Sequence, residues 1–363
     1  MTEPTAYQRA GVDTAAGDRA IELMRSDVQA THNGLVLGGV GGFAGVFDAV
    51  ALKDYRHPVL ATSTDGVGTK VAIAQAMGRH DTIGQDLVAM VIDDIVVVGA
   101  RPLFLTDYIA CGKVVPETIA SIVSGIAKAC ADSGVALIGG ETAEHPGLLG
   151  EHEYDVAAAA TGVAEKDQLL GPDRVQPGDE VVAIASSGLH SNGYSLARKI
   201  VADSGMTWDD PVPGVTARLG EVLLEPTLVY TPGVLHVLDT LPGVVHSASH
   251  ITGGGIAQNL QRVLPPGVAV SLERGSWPLP PVFPYLAHRG GLTLEQVEDT
   301  WNLGMGAALI VAQGSGADVV AALATKGLGA SVVARVEQAE GTRAEAAKGV
   351  TGGLVSLTGQ WSA

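Results

Sequence analysis

Basic charge is scarce in this sequence. Its 363 residues carry 22 Lys and Arg against 39 Asp and Glu, which gives a net charge of −17, and no run of basic residues forms a patch. We therefore expect neither nucleic acid nor a membrane surface among its partners. A phosphorylated substrate stays open, because helix N-termini and glycine-rich backbone bind phosphate without net positive charge.

Cysteine and long apolar runs are scarce too. The two cysteines, Cys111 and Cys130, have neither metal-ligand spacing nor a disulfide framework, which favours reduced thiols in a cytoplasmic protein. Asp93 and Asp94 interrupt the longest apolar run before it reaches the ~18 residues that span a bilayer. Charged residues scattered through the N-terminal region argue against a signal peptide. We expect a soluble protein.

The usual nucleotide-binding signatures are missing as well. No Gly-x-Gly-x-x-Gly occurs, so a Rossmann-type dinucleotide site has no support. Gly112-Lys113 is followed by Val114, where a Walker A loop has Ser or Thr. If the chain binds ATP, it does so by another route.

Strand-like and helix-like segments alternate throughout, and the length gives room for about two domains. This predicts an α/β fold with mixed sheets of the α+β type. Turn residues cluster near 168–177, so we expect domains at 1–170 and 171–345 and a loose tail at 346–363. The predicted strands are 58–64, 103–110, 135–138, 154–163, 180–185, 244–249, one near 268, 306–312 and 330–336; the predicted helices are 69–77, 84–98, 116–132, 193–203, 226–238, one from 255, those around 280–300, and 315–326.

The helix at 84–98 is apolar yet acidic. Asp86 and Asp93 are seven residues apart, so they lie about 20° apart around a helix, and Asp94 follows directly. Burying a carboxylate costs several kcal/mol unless it has a partner. Mg²⁺ carried by a nucleotide is one candidate partner; a half-exposed helix with a solvated acidic edge is the alternative.

Two glycine-rich segments precede this helix. Gly38–Gly45 has the flexibility to bend around phosphates, or to act as a mobile lid. The segment Thr64–Lys70 closes one strand and opens a helix, where α/β proteins hold ligands. There Asp65 offers a second carboxylate and Lys70 a counter-charge for phosphate. The alternative is a capped helix start with Lys70 in solvent.

Three further segments carry polar groups beside predicted strands. Ser186–Ser195 places hydroxyls, an imidazole and a carboxamide between a strand and a helix N-terminus, which suits a sugar phosphate. The alternative is a hydrogen-bonded turn with His190 as a structural donor. Gly139–Glu144 follows a buried strand, and His250–Gly255 repeats the strand, glycine turn and helix theme.

Together these motifs resemble the phosphoribosylformylglycinamidine cyclo-ligase (aminoimidazole ribonucleotide synthetase) family over about residues 7 to 336. The resemblance rests on Asp94-x4-Gly99-Ala100-x-Pro102, Thr-Asp-Gly-Val-Gly-Thr-Lys at 64–70, Gly-Gly-Glu-Thr-Ala-Glu at 139–144 and Ser-Asn-Gly-Tyr-Ser-Leu at 191–196. It implies ATP-dependent ring closure of formylglycinamidine ribonucleotide to aminoimidazole ribonucleotide in purine biosynthesis, releasing ADP and phosphate. ATP first phosphorylates the formamide oxygen, and an internal nitrogen then displaces phosphate.

The resemblance also implies roles for individual residues. It implies Mg²⁺ at Asp94 with Asp65, and a homodimer whose N-terminal-domain sheets form a barrel. The sequence does not say which side chain moves the proton during ring closure, and Asp65 and His190 are the candidate catalytic residues. The implied ATP-binding residues are Gly41, Gly42, Asp65, Lys70, Asp94, Gly99, Ala100 and Pro102; the implied substrate-binding residues are Glu141, Thr142, Ser187, His190, Ser191, Asn192 and Gly193.

The chain departs from the family pattern at some positions. Residues 26–52 contain no Lys or Arg, although relatives often carry basic residues before the glycine loop. Lys70 or Lys113 would have to supply that charge. Leu189 and His145 stand where proline and methionine are expected, and we expect altered packing there with no lost chemical group.

Three alternatives stay open. The nearest is another enzyme of the same fold, such as thiamine-monophosphate kinase, selenophosphate synthetase or the amidotransferase synthetase one step earlier. The serine-rich segment disfavours the first two, and the absence of obvious glutaminase Cys-His machinery disfavours the third. The others are a nucleotide-binding maturation protein without turnover, for which the expected C-terminal cysteine is missing, and an acidic structural protein.

Overall fold

The computed structural model describes residues 13–361 except residue 346. The chain divides into two compact units. The first holds the described residues up to Ile95 together with Ala100–Lys166; the second holds Val96–Gly99 and the described residues from Asp167 onward. Within the described residues, no helix combines the length and apolar character needed to cross a membrane.

The first unit is built on one mixed sheet. Strand order is β3-β6-β4-β5; β6 pairs antiparallel with both β3 and β4, and β4 pairs parallel with β5. Pro116 opens α4 at the position where proline is tolerated, and Gly134, at φ 69°, ends it. The elements are α1 (Thr14–Ala30), β1 (Val36–Leu37), β2 (Val46–Phe47), β3 (Pro58–Gly66), α2 (Val71–Met77), α3 (Ile83–Val96), β4 (Arg101–Cys111), α4 (Pro116–Ser133), β5 (Ala136–Glu144) and β6 (Tyr154–Glu165).

The second unit is built on a six-stranded sheet in the order β14-β9-β11-β7-β10-β8. All its pairings are antiparallel except β14 with β9. Val96, at the end of α3, lies in this unit's core with Val182, Ile184 and Leu309. The elements are β7 (Glu180–Ala185), α5 (Tyr194–Asp203), α6 (Leu219–Leu223), α7 (Thr231–Thr240), β8 (Val245–His250), α8 (Gly255–Gln261), β9 (Val268–Glu273), α9 (Val282–Arg289), β10 (Met305–Val311), α10 (Gly316–Ala324), β11 (Ala330–Gln338), β12 (Ala344–Glu345), β13 (Thr351–Gly352) and β14 (Leu354–Thr358).

The expectation of a loose tail at 346–363 is wrong for its described end. Residues 354–358 form β14, which pairs with β9 over five residues. Exposure alternates along β14, with Val355 buried and Leu354 exposed, as a half-covered edge strand requires. Beyond the strand, the Trp361 indole donates to Glu298 Oε1 at 2.7 Å. Residues 362 and 363 lie outside the described part.

Two other expectations change in detail. The helix expected at 226–238 begins instead at Thr231, because Pro232 fits only the first turn. The strand expected at 135–138 continues to Glu144, so Glu141 and Thr142 lie on β5 itself and not on a turn after it. Elsewhere the expected alternation of strands and helices is confirmed.

Candidate active site

Two aspartates of the first unit lie toward the same face of its sheet. Asp65 is exposed near the end of β3, and its Oδ1 accepts the Gly66 N–H at 2.8 Å. Ser63, two positions earlier on the same face, donates its hydroxyl to Asp94 Oδ2 at 3.3 Å. Residues two apart along a strand are separated by about 7 Å. Ser63 thus links Asp94 to the strand face on which Asp65 lies; a shared Mg²⁺ site stays a prediction.

The acidic helix α3 buries its other aspartates. Asp86 and Asp93 have no exposed surface, so the alternative of a solvated acidic edge is wrong for both. Asp86 accepts the Lys70 ammonium at 2.8 Å, and neither side chain is exposed. The structure thus gives Lys70 a buried aspartate partner, and the alternative of a solvated Lys70 is wrong. Direct contact between Lys70 and a nucleotide has no support here.

The Gly-Ala-x-Pro segment ends helix α3. The Gly99 N–H donates to Val96 O at 2.8 Å, and Ala100 N–H donates to Ile95 O at 3.3 Å. Gly99 has φ 83°, a left-handed conformation that favours glycine at a helix end. Ala100 and Pro102 are buried as β4 begins. This packing accounts for the motif without a ligand, and its contact with ATP stays a prediction.

The glycine loop at 38–45 is largely exposed, unlike the packed segment that ends α3. Gly41 has φ 104°, and a Cβ built there would meet no atom within 4 Å. A Cβ on Gly42 would touch only loop backbone, at 3.6 Å or more. Phe43 at the loop's centre is fully exposed. The loop is open on its outer side, which accommodates either of the roles expected for it.

Strand β5 places Glu141 in solvent and Thr142 half-buried, opposite Tyr108 and Ile109 of β4. One position earlier, Gly140 leaves room for the carboxyl of Asp107, which any side chain there would strike. Burial raises the pKa of Asp107 from 3.8 to about 7. Sequence reasoning missed this acid, although its place among apolar residues of a strand was a usable signal.

The serine-rich segment joins β7 to α5 in the second unit, as predicted. Ser187 donates its hydroxyl to Pro226 O at 2.7 Å, and the Ser191 and Thr227 hydroxyls are 3.4 Å apart. Ser191 and His190 are buried. Hydrogen bonds to other residues of the chain and burial restrict these side chains, so the segment is an ordered loop with little conformational freedom.

His190 closes a turn within this loop. Its Nε2 accepts the Ser187 backbone N–H at 3.2 Å, which places the proton of the neutral ring on Nδ1. The residue has φ 64°, uncommon outside glycine, and its ring centroid lies 5.9 Å from that of Tyr230. The hydrogen-bonded turn of the alternative is present, but in this bond His190 accepts and does not donate; a role in proton transfer stays a prediction.

The end of the loop meets a second predicted motif. Gly193, at φ 76°, precedes the first turn of α5, and a side chain there would strike the Trp301 ring. A Cβ built on Gly253 would lie 3.5 Å from Asn192 Oδ1. The structure thus brings the segments 186–195 and 250–255 together within the second unit.

The described residues contain no group of three or more His, Cys, Asp or Glu side chains placed to hold a metal ion. Mg²⁺ does not require such a cage, since it keeps several waters and binds one or two protein carboxylates plus phosphate oxygens. Asp94 is half-buried and Asp65 is exposed, and both present carboxylate oxygens. This pair fits a Mg²⁺ ion that arrives with a nucleotide.

Comparisons with known proteins point to the same family as the sequence motifs. The model of the AIR synthase related protein N-terminal domain matches residues 47–164, and that of the C-terminal domain matches residues 176–346. A phosphoribosylformylglycinamidine cyclo-ligase of Geobacillus kaustophilus (strain HTA426) is 48% identical over 337 residues, which cover 93% of this chain and 96% of that protein. The chain belongs to this cyclo-ligase family. A relative of the same name from Anaeromyxobacter sp. (strain Fw109-5) is 48% identical over 336 residues, covering 92% of this chain and 96% of its own length.

Solved structures show the same fold at low identity. The hydrogenase maturation protein HypE of E. coli matches with a TM-score of 0.62 and 18% identity, covering 91% of this chain and 94% of its own. Thiamine-monophosphate kinase of Stenotrophomonas maltophilia K279a matches with a TM-score of 0.62 and 17% identity, covering 93% and 96%. A structure of HypE in complex with ATP has a TM-score of 0.60 and 18% identity, covering 95% of both chains. At such identity these matches speak for the two-domain mixed α/β fold alone.

Proposed function

We propose that this chain is a phosphoribosylformylglycinamidine cyclo-ligase, which converts formylglycinamidine ribonucleotide and ATP to aminoimidazole ribonucleotide, ADP and phosphate in purine biosynthesis. The observation that carries the proposal is 48% identity to a protein of that name over 93% of this chain. The motifs in which the chain resembles the family are folded as strand ends, helix ends and turns. Its two cysteines are free thiols, in keeping with a cytoplasmic enzyme.

The reaction has two balanced steps. The formamide oxygen of the substrate attacks the γ-phosphorus of ATP and ADP leaves; an internal nitrogen then attacks the activated carbon, loses a proton, and the C–O bond breaks to release phosphate. Because nucleophile and electrophile belong to one bound molecule, the second step benefits from proximity. Mg²⁺ supplies charge stabilisation at the transferring phosphoryl group when bound.

We assign the nucleotide side of this reaction to the glycine loop, the end of β3, helix α3 and the turn that follows it. Asp94 and Asp65 would hold the Mg²⁺ that accompanies ATP, and the open glycine loop at Gly41-Gly42 would give backbone N–H groups to phosphate. The turn after α3, at Gly99 and Ala100, and Pro102 at the start of β4 fix the direction in which Asp94 is presented. Lys70 supports the same region through its buried pair with Asp86.

We assign the phosphate of the ribonucleotide to the serine-rich loop. Its side chains Ser187, Ser191 and Asn192 and the backbone at Gly193 precede the first turn of α5, where N–H groups favour an anion. His190 shapes this loop and is a candidate for proton transfer, as is Asp65. Glu141 and Thr142, at the end of β5, complete the proposed substrate-binding set.

We also propose a homodimer in which the first-unit sheets of two copies pair to form a barrel. The register places Leu60, Thr161 and Tyr108 on one face of the sheet. Leu60 is 64% exposed and Tyr108 42% exposed. An apolar sheet face in solvent is typical of an interaction site.

The activity is tested by measuring ADP release from Mg-ATP with and without formylglycinamidine ribonucleotide, and assaying the aminoimidazole product in the same tube. We expect ADP and product in equal amounts, and only when the ribonucleotide is present. ATP binding without either product would contradict the proposal and favour a nucleotide binder of the same fold.

The dimer is tested by light scattering on the Leu60→Asp variant, which we expect to be monomeric because a charge would be buried in the proposed interface. Leu354→Asp is the matched control, since Leu354 is 43% exposed on β14, which belongs to the second unit and not to the first-unit sheet. A monomeric wild type, or a Leu60→Asp variant that stays dimeric, would contradict this arrangement.

A further inference from the structure

Asn302 lies outside the motifs in which the chain resembles its family, yet its side chain is bonded into the serine-rich loop. Its Oδ1 accepts the Ser186 hydroxyl at 3.1 Å and the Gly304 N–H at 3.0 Å. Its Nδ2 donates to Gly188 O at 2.8 Å. The side chain is 3% exposed. Two of these bonds, to Ser186 and Gly188, hold the start of the loop against the segment before β10, and the third, to Gly304, fixes the carboxamide within its own segment.

Trp301, the preceding residue, holds the other end of the loop. Its indole N–H donates to Gly193 O at 3.2 Å. Its ring is fully buried and lies so close to Gly193 that no side chain would fit there. Two consecutive residues therefore fix both ends of the loop 186–193, one through its amide and one through its indole.

The segment that carries these two residues is itself anchored. Glu298 accepts two bonds from the Arg274 guanidinium, at 2.6 and 3.0 Å, and one from the Trp361 indole at 2.7 Å. A bidentate Arg–carboxylate pair has fixed geometry and is among the stronger polar contacts. The anchor ties the chain to Arg274 and Trp361 at Glu298, three residues before Trp301.

We infer that Asn302 and Trp301 are positioning residues that hold the loop 186–193 in the shape that binds the phosphate of the ribonucleotide. The inference rests on the proposed function, which assigns that phosphate to this loop. A loop already in its bound shape does not lose conformational freedom when the ligand arrives. Neither residue needs to touch the ligand to affect its affinity.

The test replaces Asn302 with Asp, which keeps the shape but removes the donor to Gly188 and places a carboxylate beside its carbonyl oxygen. A buried carbonyl that loses its donor disfavours the present shape of the loop, and the ligand must then restore that shape when it binds. We expect the KM for formylglycinamidine ribonucleotide to rise about tenfold or more, and the KM for ATP to change less than about twofold. Hydrogen exchange of backbone amides in residues 187–193 is expected to become faster in the ligand-free enzyme.

Two further variants complete the test. Trp301→Phe keeps a ring and removes the N–H to Gly193, and we expect a smaller change of the same kind; it also serves if Asn302→Asp fails to fold. Ser247→Ala is the control, because Ser247 is a buried hydroxyl of the same unit that bonds Val263 O and does not contact the loop. It is expected to leave both the substrate KM and the loop exchange unchanged.

The outcomes separate this inference from the function on which it rests. Unchanged amide exchange in residues 187–193 of both variants would overturn the positioning role and leave the proposed function intact. Faster exchange with an unchanged KM for the ribonucleotide would overturn the assignment of the phosphate to this loop, and the inference with it. Faster exchange together with a raised ribonucleotide KM supports both.

Discussion

The two units present their candidate ligand-binding groups in opposite ways. In the first unit these groups are charged and partly open, with Asp65 exposed and Asp94 half-buried beside the Ser63 hydroxyl. In the second they are mostly neutral and enclosed, with His190 and Ser191 buried and bonded within their own loop. One region supplies fixed charge and the other supplies fixed shape.

This difference suits the two ligands that we propose. A nucleotide arrives with Mg²⁺, and carboxylates in reach of solvent suit a cation that keeps several waters. A ribonucleotide phosphate is an anion, and a chain of net charge −17 binds it best through N–H and O–H groups that are already oriented. Variants that change charge should therefore act mainly in the first unit, and variants that change shape mainly in the second.

The largest expected effect comes from the buried charges of the first unit. Lys70→Met should lower the free energy of unfolding by about 3–5 kcal/mol, because it leaves Asp86 buried without its cation. Urea unfolding at neutral pH measures it. The double variant Lys70→Met with Asp86→Leu should recover most of the loss; a single variant as stable as the wild type would mean that the pair contributes nothing.

Asp94→Asn should separate charge from packing. Mg²⁺ contributes several kcal/mol of transition-state stabilisation, so turnover should fall at least about 100-fold while the melting temperature stays near that of the wild type. Steady-state ADP release measures the loss. Asp132→Asn is the control, since Asp132 is exposed in a surface pair with Lys128; near-normal turnover of Asp94→Asn would remove Asp94 from the metal site.

Gly306→Ala tests shape in the second unit. Gly306 faces the Tyr230 hydroxyl and the His190 ring so closely that a methyl group would strike both. Overpacking costs about 1–3 kcal/mol, and we expect the ribonucleotide KM to rise more than the ATP KM. Gly171→Ala is the control and should leave both KM values unchanged. The backbone of Gly171 is extended, and a Cβ built there meets no atom within 4 Å. Equal changes in the two KM values would weaken the comparison.

The smallest expected effect is the change in the free energy of unfolding that the titration of Asp107 causes over one pH unit. Because burial raises its folded pKa to about 7, the folded chain keeps a proton there that the unfolded chain has lost above about pH 4. The group therefore favours the folded state at low pH, and this contribution falls as pH rises toward about 7. Asp107→Asn removes the titration, so the stability of the wild type relative to the variant should fall by about 1.4 kcal/mol between about pH 5 and pH 6. A difference that does not change with pH would contradict the raised pKa.

Much of the fold follows from local pattern. Strand β7 occupies residues 180–185 as expected, because a short run of buried apolar residues lies between turn residues and a polar loop. Helix α4 begins at Pro116 as expected, and ends one residue past the expected position, just before Gly134. Such elements carry their own start and stop signals, so no distant partner is needed to predict them.

What the sequence left undecided depends on distant partners. Strand β14 is short, and it pairs with β9, which lies more than 80 residues earlier in the chain. The choice of Asp86 over phosphate for Lys70 depends on how two elements pack. Asn302 and Trp301 carry no motif of their own, and only their contacts with residues more than 100 positions earlier give them a role.

The buried pair of Lys70 and Asp86 also limits how the gene can change. Natural proteins are stable by about 5–15 kcal/mol, and loss of either partner alone removes about 3–5 kcal/mol, a large part of that margin. An apolar pair of similar volume is often as stable as the ion pair it replaces, but two successive point mutations reach it only through a poorly folded intermediate. We therefore expect Lys70 and Asp86 to be kept or replaced together during evolution, even if neither side chain ever touches a ligand.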